Sequence, residues 1–348
     1  MRRKTSKTTI KDVAEHAGVS TTTISRYLNG RYEAMSSDTR ERIRHSIEML
    51  DFKPNQLARG LRNERSNTIG FVVADISNPY SVSVIQGFEE TCAKLGYSLM
   101  VCNANEDPEK ESECLRMLDS RQIDGLIINS TGKNNDLLFR LSKSIPVLLI
   151  DRKLPEMPFD TVTTNNVQGM HLAISHLQEK QCNHISLLIA HPEGISPRYE
   201  RVVAFEQFAR ALHDVRTSLK IIHSYRQELV TEHIKDLVTN REAGERIGLI
   251  LGNGKLSLSA LKAVHELKCQ VPRELLLIGF DDPEWASIAR PTLTVVAQPT
   301  YEIGRQAAEI MISRITKNEV YLPKTVELAM RLVSRESTDL SYDAVLSR

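Results

Sequence analysis

The sequence predicts an α/β protein: a small all-α head at the N-terminus, then a body of two doubly wound parallel-sheet subdomains. Three observations predict it. Two short amphipathic segments joined at Gly18 open the chain. From Asn67 onward, apolar runs of strand length alternate with amphipathic runs of helix length, the pattern of parallel strands joined by crossover helices. That alternation closes at Asp151 and restarts after Asn166, so the body falls into two similar halves. With 348 residues and 41% apolar content, the chain has room for two or three domains and a sizeable core.

The head begins at residue 8. Ile10, Val13, Ala14 and Ala17 recur at i, i+3, i+4 and i+7 and share one helical face. Thr9 precedes them with Asp12 three residues on, a capping-box-like start. Gly18 supplies a sharp turn, and Ser20 is placed to cap a second helix. In that helix Thr21, Thr22, Ser25, Arg26 and Asn29 fall within an arc of about 140°, with Thr23, Ile24, Tyr27 and Leu28 opposite. One face packs on the first helix. The other presents hydroxyls, an amide and a guanidinium, the groups that read base edges in a major groove. An ordinary capped hairpin with a solvated polar face shares this pattern, and the later stretches of the chain decide between the two. Ser36 or Ser37 caps a third helix, with Asp38 near its positive end and Ile43, Ile47 and Leu50 as its apolar stripe. This helix closes a three-helix core. Arg40, Arg42 and Arg44 suit phosphate contact and solvent equally.

Residues 54–62, PNQLARGLR, come next. Pro54 suits a first helical position, and Leu57, Ala58 and Leu61 lie on one side. A segment this short is not stable alone, and Gly60 weakens it further. Without a partner it is a flexible linker.

The body then runs in order. TIGFVVADI reads as a buried strand, 79–95 as a helix, SLMVCNA as a strand, 108–121 as a helix, DGLIINS as a strand, 134–143 as a helix and PVLLID as a strand. After TVTTNN come a helix at 167–180, HISLLIA, a helix at 198–213, LKIIHS, a helix at 228–239, IGLILGN, a helix at 255–267 and ELLLIGF. Ligands in such folds bind at the carboxyl ends of the strands. Polar residues gather there. Asp151 closes PVLLID, Asn253 closes IGLILGN, Asp281 and Asp282 follow LLLIGF, and Gln298 follows LTVVA. Asn78 and Tyr80 lie beyond the first strand, Arg201 opens a helix in RYERVVAF, and Tyr225 is placed to stack on a sugar face. Converging acceptors, donors and a cation suit a polyhydroxylated ligand. Asp282 reads as a helix cap, and Asn165 and Asn166 as parts of the crossover between halves.

A net charge of +1 hides an asymmetry: residues 1–62 hold 13 Lys+Arg against 7 Asp+Glu, and the remainder holds 32 against 37. A basic module on a slightly acidic body fits a DNA-binding head on a soluble ligand domain. No apolar run approaches the roughly 18 residues of a membrane span. Basic residues between Met1 and Lys7 are not followed by the apolar stretch of a secretory signal. Five scattered cysteines form no CxxC, which fits inert thiols in a reducing cytoplasm and argues against a metal site. The expectation is a cytoplasmic protein with no membrane contact, no metal and no cofactor.

IKDVAEHAGVSTTTISRYLNG, then PNQLARGLR, then TIGFVVADISNPY resemble, in order and spacing, the lactose/galactose-repressor (LacI/GalR) family of bacterial transcription regulators, over residues 8–338. The resemblance implies a periplasmic-binding-protein-like body in which the chain crosses between subdomains three times. Crossings near Thr163, Arg290 and Pro323 divide the chain into a helix-turn-helix domain at 1–53, a hinge helix and linker at 54–66, an effector-binding and dimerisation domain at 67–338 and a tail at 339–348. The N-subdomain then takes 67–163 and 291–323, the C-subdomain 164–290 and 324–338. The resemblance also implies a homodimer on near-palindromic double-stranded operator DNA, switched by a small effector, a sugar or sugar acid. DNA contacts fall on Thr9, Ser20, Thr21, Thr22, Ser25, Arg26 and Asn29 in the head. In the hinge they fall on Asn55, Ala58, Leu61 and Arg62, where two copies pair and Leu61 wedges into the minor groove. Effector contacts fall on Asn78, Tyr80, Asp151, Arg201, Tyr225, Asn253, Asp281 and Gln298. The last ten residues are too short for a coiled coil, so a dimer is expected. The loop NGRYEAMS is similar to the keto-deoxygluconate repressor group, which points to repression of carbohydrate or sugar-acid catabolism genes.

Two residues depart from the family pattern. Gly254-Lys255 replaces the acidic residue common after the asparagine, and Ala204 replaces a common glycine before Phe205. Lys255 either brings a positive charge to the cleft, favouring an acidic sugar, or points to solvent. Enzymatic motifs are incomplete. GNGK at 252–255 lacks the Gly and the Ser/Thr of a phosphate-binding loop, His265-Glu266 begins an HExxH that Cys269 breaks, and no GxSxG occurs. Asp151 and Asp281 could mimic a glycosidase pair, so a sugar-binding enzyme with a DNA-binding head is one alternative. A regulator whose body binds a partner protein is another.

Overall fold

The computed structural model describes residues 8–28, 30–33, 35–52, 65–317 and 322–341. The chain forms two compact units, one ending at Ser66 and the other starting at Asn67. Among the described residues the head has three helices, α1 (Ile10–Ala17), α2 (Thr21–Leu28) and α3 (Ser37–Met49). α1 starts at a complete capping box: Asp12 N–H donates to Thr9 Oγ1, and Thr9 N–H donates to Asp12 Oδ2 at 2.7 Å. It ends at Gly18, whose φ of 62° is the left-handed conformation glycine takes without strain. Ser20 Oγ accepts from Thr23 N–H at 3.1 Å. Ser36, not Ser37, caps α3 by accepting from Thr39 N–H. Val13, Ala14, Ala17, Ile24 and Ile43 fill the shared core, and the Thr8 hydroxyl donates to Leu50 O at 3.1 Å, tying the start of the head to the end of α3. Residues 53–64 lie outside the described residues, and with them the hinge expectations at Asn55, Ala58, Leu61 and Arg62; so does Asn29.

Among the described residues the body holds two six-stranded sheets. The first is built from β1 (Thr68–Val73), β2 (Ser98–Asn103), β3 (Gly125–Ile128), β4 (Val147–Ile150), β5 (Asp160–Thr164) and β11 (Thr325–Leu328). Its order is β11-β5-β4-β3-β1-β2, parallel throughout. The second is built from β6 (His184–Ala190), β7 (Arg216–Ile222), β8 (Ile247–Leu251), β9 (Leu275–Phe280), β10 (Thr294–Ala297) and β12 (Arg331–Val333). Its order is β12-β10-β9-β8-β6-β7, with β12 antiparallel on β10. Connecting helices are α4 (Pro79–Lys94), α5 (Pro108–Ser120) and α6 (Asn135–Leu141) around the first sheet. Around the second are α7 (Asn166–Glu179), α8 (Ser196–Arg210), α9 (Gln227–Thr239) and α10 (Gly254–Leu267). A further helix, α11 (Thr300–Thr316), returns the chain to the first sheet and packs along α4. Their backbones touch at Gly87 and Gly304, where a Cβ would run into Tyr301 O and Val84 O respectively.

The strand pairings correct the expected subdomain limits. The first crossing lies at Thr164–Asn165, beside the expected Thr163. The expected crossing near Arg290 is displaced: β10 pairs with β9, Thr294 opposite Ile278, so the chain stays in the second sheet and crosses after Ala297. The one expected near Pro323 is displaced likewise: β11 pairs with β5, Thr325 opposite Thr161, and the crossing follows Leu328. Pro291 and Pro323 do mark loops, but both loops stay within one subdomain, because hydrogen-bonded strands on their far side belong to the same sheet as the elements before them. The stretch read as a connection, TVTTNN, supplies β5. Its polar residues disguise it: Asp160, Thr161, Thr163 and Thr164 are all buried. They are satisfied there, Asp160 by Arg314 at 2.8 and 3.0 Å and Thr163 by donating to Asp151 O at 2.8 Å.

Candidate functional site

The carboxyl ends of both sheets face one cleft. Asp151 follows β4 and Asp281 follows β9, at corresponding places in the two subdomains. Each has left-handed backbone, φ 65° and 72°, and each N–H bonds the neighbouring strand, at Val162 O (2.9 Å) and Val296 O (3.1 Å). Aspartate tolerates this conformation, and such backbone recurs at ligand sites. Asn78 caps α4 by accepting from Tyr80 N–H at 3.1 Å. Asn253 caps α10 by accepting from Leu256 N–H at 2.9 Å and donates to Tyr225 Oη at 2.7 Å. Together with Tyr80, Arg201, Tyr225 and Gln298, these side chains line the same cavity, so the structure brings all eight expected effector residues together.

Arg201, on α8, is 4% exposed. Its Nε donates to Asn166 Oδ1 at 2.9 Å, its Nη1 donates to Gly252 O at 2.7 Å, and its guanidinium lies 4.1 Å from the Phe280 ring centroid. Burial lowers its pKa, opposed by the charges of Asp281 and Asp151. Burial also raises the pKa of Asp151, opposed by Arg152 and Arg201, and pushes the Tyr80 phenol well above its usual value with help from both aspartates. Asp281 accepts from Gln298 Nε2 at 2.6 Å and from Gly254 N–H at 3.2 Å. Tyr80 Oη, Asn129 Oδ1 and Arg152 Nε are buried without a hydrogen-bond partner among the described residues, and all three side chains line this cavity. A buried polar atom left unpaired costs about 1–3 kcal/mol. Three such atoms meet in this one cavity.

Sequence reasoning did not find Asp75, Glu106, Asn129, Arg152 or Arg198, which also line the cleft. Asn129 follows β3 and Arg152 follows Asp151, so strand-end location was a usable signal for both. Two ion pairs bridge the subdomains here: Arg198 with Glu106 at 3.0 Å, and Lys255 with Asp75. Lys255 therefore faces the cleft rather than solvent. Outside the cleft a third bridge joins Lys153 to Glu200 at 2.8 Å. Glu200 accepts from Asn166 at 2.7 Å, which connects this bridge to Arg201. Asn165 caps α7 through Gln168 N–H, beside the first crossing. Asp282 is not the expected helix cap; it pairs with Arg335 at 2.8 Å. Burial pushes the thiols of Cys92, Cys182 and Cys269 up to about 12 and that of Cys102 up to about 11, which makes them poor nucleophiles.

On the head, α2 buries Ile24 and exposes Thr21, Thr22 and Arg26, with Ser25 half-buried. Thr9 and Ser20 stand exposed at the starts of α1 and α2, their hydroxyls engaged in the caps. A polar helical face at the second helix of a capped pair is the arrangement that enters a major groove.

Known proteins share both parts. Residues 9–55 match the family described as bacterial regulatory proteins, lacI family, and residues 174–338 match the periplasmic binding protein-like domain. The HTH-type transcriptional regulator KdgR of Bacillus subtilis (strain 168) is 38% identical, covering 97% of this chain and 100% of that protein. PtxS of Pseudomonas aeruginosa, also an HTH-type transcriptional regulator, is 36% identical over 95% of this chain and 96% of its own. Among solved structures, the Lac repressor dimer bound to operator and the anti-inducer ONPF shares the fold, with a TM-score of 0.81 at 21% identity over 96% of this chain and 99% of that one. A periplasmic binding protein/LacI transcriptional regulator from Alkaliphilus metalliredigens, complexed with D-xylulofuranose, gives 0.69 at 27% identity over 78% of this chain and 99% of that one. With relatives this similar along nearly the whole chain, the protein belongs to the LacI family of bacterial regulatory proteins and is a DNA-binding transcriptional regulator.

Proposed function

We propose that the protein is a dimeric repressor of carbohydrate or sugar-acid catabolism genes, which binds a near-palindromic operator and is switched by a small sugar or sugar acid held in the cleft. It acts in the bacterial cytoplasm and carries no catalysis. The observation that supports the effector reading best is the convergence of Asp151, Asp281 and Arg201 with three buried, unpartnered polar atoms in one cavity. Carboxylates accept hydrogen bonds from hydroxyls, and a guanidinium grips an oxygen pair. A cleft lined by charges and amides favours a small polar ligand over an apolar segment of a partner protein. Operator contact is assigned to Thr9, Ser20, Thr21, Thr22, Ser25, Arg26 and Asn29 in the head and to Asn55, Ala58, Leu61 and Arg62 in the hinge. The family of this chain consists of regulators, which favours binding over turnover at the Asp151–Asp281 pair.

The test is a thermal-shift screen of the full chain against sugars and sugar acids, followed by operator titration with each ligand that stabilises it. A ligand at 100 times its Kd raises stability by about 2.7 kcal/mol. Stabilisation by a ligand that is recovered unchanged and alters operator affinity supports the reading. Chemical conversion of the ligand would favour the sugar-binding enzyme, and stabilisation by none would remove the effector reading.

A further inference from the structure

The cleft is lined by charges of both signs. Asp151 and Asp281 both act on the buried Arg201, and the buried Arg152 adjoins Asp151 and pairs with Glu106. Arg198 and Lys255 face Glu106 and Asp75 across the gap between subdomains. Arg152 and Arg198 share Glu106, at 2.8 and 3.0 Å. Lys255 stands in the first turn of α10, two residues after Asn253, and reaches across the gap between subdomains to Asp75 Oδ2. Its ammonium lies 5.4 Å from the Tyr225 ring centroid, and the Arg198 guanidinium lies 5.9 Å from the same ring. Asp75 is held independently, since its Oδ1 accepts from Ser77 N–H at 2.8 Å and from Ser77 Oγ at 2.7 Å. Of these cations, Lys255 is the one that can change partner. Its side chain is 34% exposed, and a lysine is a compact charge on a flexible stem, where an arginine is a fixed fork.

We propose that Lys255 is the specificity-determining residue of the cleft: it exchanges Asp75 for the carboxylate of an acidic sugar effector, whose hydroxyls then donate to Asp151 and Asp281. The inference rests on the effector reading and sharpens it to one residue and one orientation. The exchange replaces one carboxylate by another at the ammonium, while Asp75 keeps its hydrogen bonds from Ser77. It also leaves Asp75 Oδ2 as an acceptor for a ligand hydroxyl.

The test uses the full chain and three matched pairs of probes: D-gluconate with D-glucitol, 2-keto-D-gluconate with D-fructose, and D-galacturonate with D-galactose. Calorimetry gives the affinity of each. At least one acid is expected to bind at least about tenfold more tightly than its neutral partner, and less tightly at high salt. Lys255→Met should weaken that acid about tenfold or more, and Lys255→Arg should restore part of it. Asp75→Asn keeps an acceptor for Ser77 and frees Lys255, so it should tighten the acid. Opposite changes at Lys255 and Asp75 are not what loss of a structural ion pair produces, and Asp75→Asn keeps the test valid if Lys255→Met does not fold. Equal acid binding by Lys255→Met and parent, or weaker acid binding by Asp75→Asn, overturns the proposal. Neutral probes binding as well as acids overturn it while leaving the sugar-effector reading in place. Binding of no probe counts against both.

Discussion

Replacing Arg201 by alanine should separate ligand response from DNA binding. In the folded protein Arg201 donates to Asn166 Oδ1 and Gly252 O at 2.9 and 2.7 Å and stands beside Asp151 and Asp281 at 4% exposure. Truncation leaves two buried acceptors without their donor and two buried carboxylates without that cation. Removing one partner of a buried charged group costs about 3–5 kcal/mol, so denaturant unfolding of the body should show a loss of that order. The same change removes from a ligand the hydrogen bonds of a desolvated charge, worth about 2–5 kcal/mol, so affinity should fall at least about 30-fold. Operator binding should persist, because the head is its own compact unit. Arg201→Lys, which keeps the charge and loses the fork, should fall between. The assay is fluorescence anisotropy of labelled operator, with and without the sugar or sugar acid that stabilises the parent, at fixed salt. A folded Arg201→Ala protein that still responds at the parental ligand concentration would refute the reasoning.

Arg26→Ala on α2 should cost about 1–3 kcal/mol of operator binding and relax one symmetric position of the site; selection from random duplexes checks this, and an unchanged consensus contradicts it. Gly304→Ala should force α4 and α11 apart, since the new methyl meets Val84 O and lies 2.7 Å from Phe88 N; overpacking of this kind costs about 1–3 kcal/mol, read as a lower unfolding midpoint. His233, on α9, is held neutral by burial, with Lys220 adding repulsion, and its pKa falls to about 4. Its unfolded value is near 6.5, so the stabilisation is complete above about pH 6.5 and is lost as pH falls through about 4, by at most about 3 kcal/mol. Unfolding midpoints at pH 7 and 4.5 should differ, and His233→Gln should shrink the difference.

The head was legible because its signals are local. Thr9 with Asp12, Gly18, Ser20 and the i, i+3, i+4 apolar spacing each act within one or two turns. Alternation gave the two halves of the body for the same reason. What escaped depends on pairing across the chain. β5 looks like a polar connection until Arg314, 154 residues away, neutralises Asp160. The ends of β10 and β11 are set by their partners in the sheets, not by Pro291 or Pro323. In the cleft, Asp151, Asn253 and Asp281 are legible from their strand ends, and Asn129 carries the same signal, whereas Glu106 and Arg198 meet only across the two subdomains, a contact of 92 residues' separation.

The central claim is that occupancy of the cleft changes the hold of the head on DNA. Its most direct test is anisotropy titration of a labelled operator with the full chain, at one salt concentration, without ligand and with a sugar or sugar acid shown by calorimetry to be bound. A change in operator affinity of about tenfold or more, lost in Arg201→Ala, is the predicted result. Identical operator affinity with the ligand demonstrably bound would contradict the account.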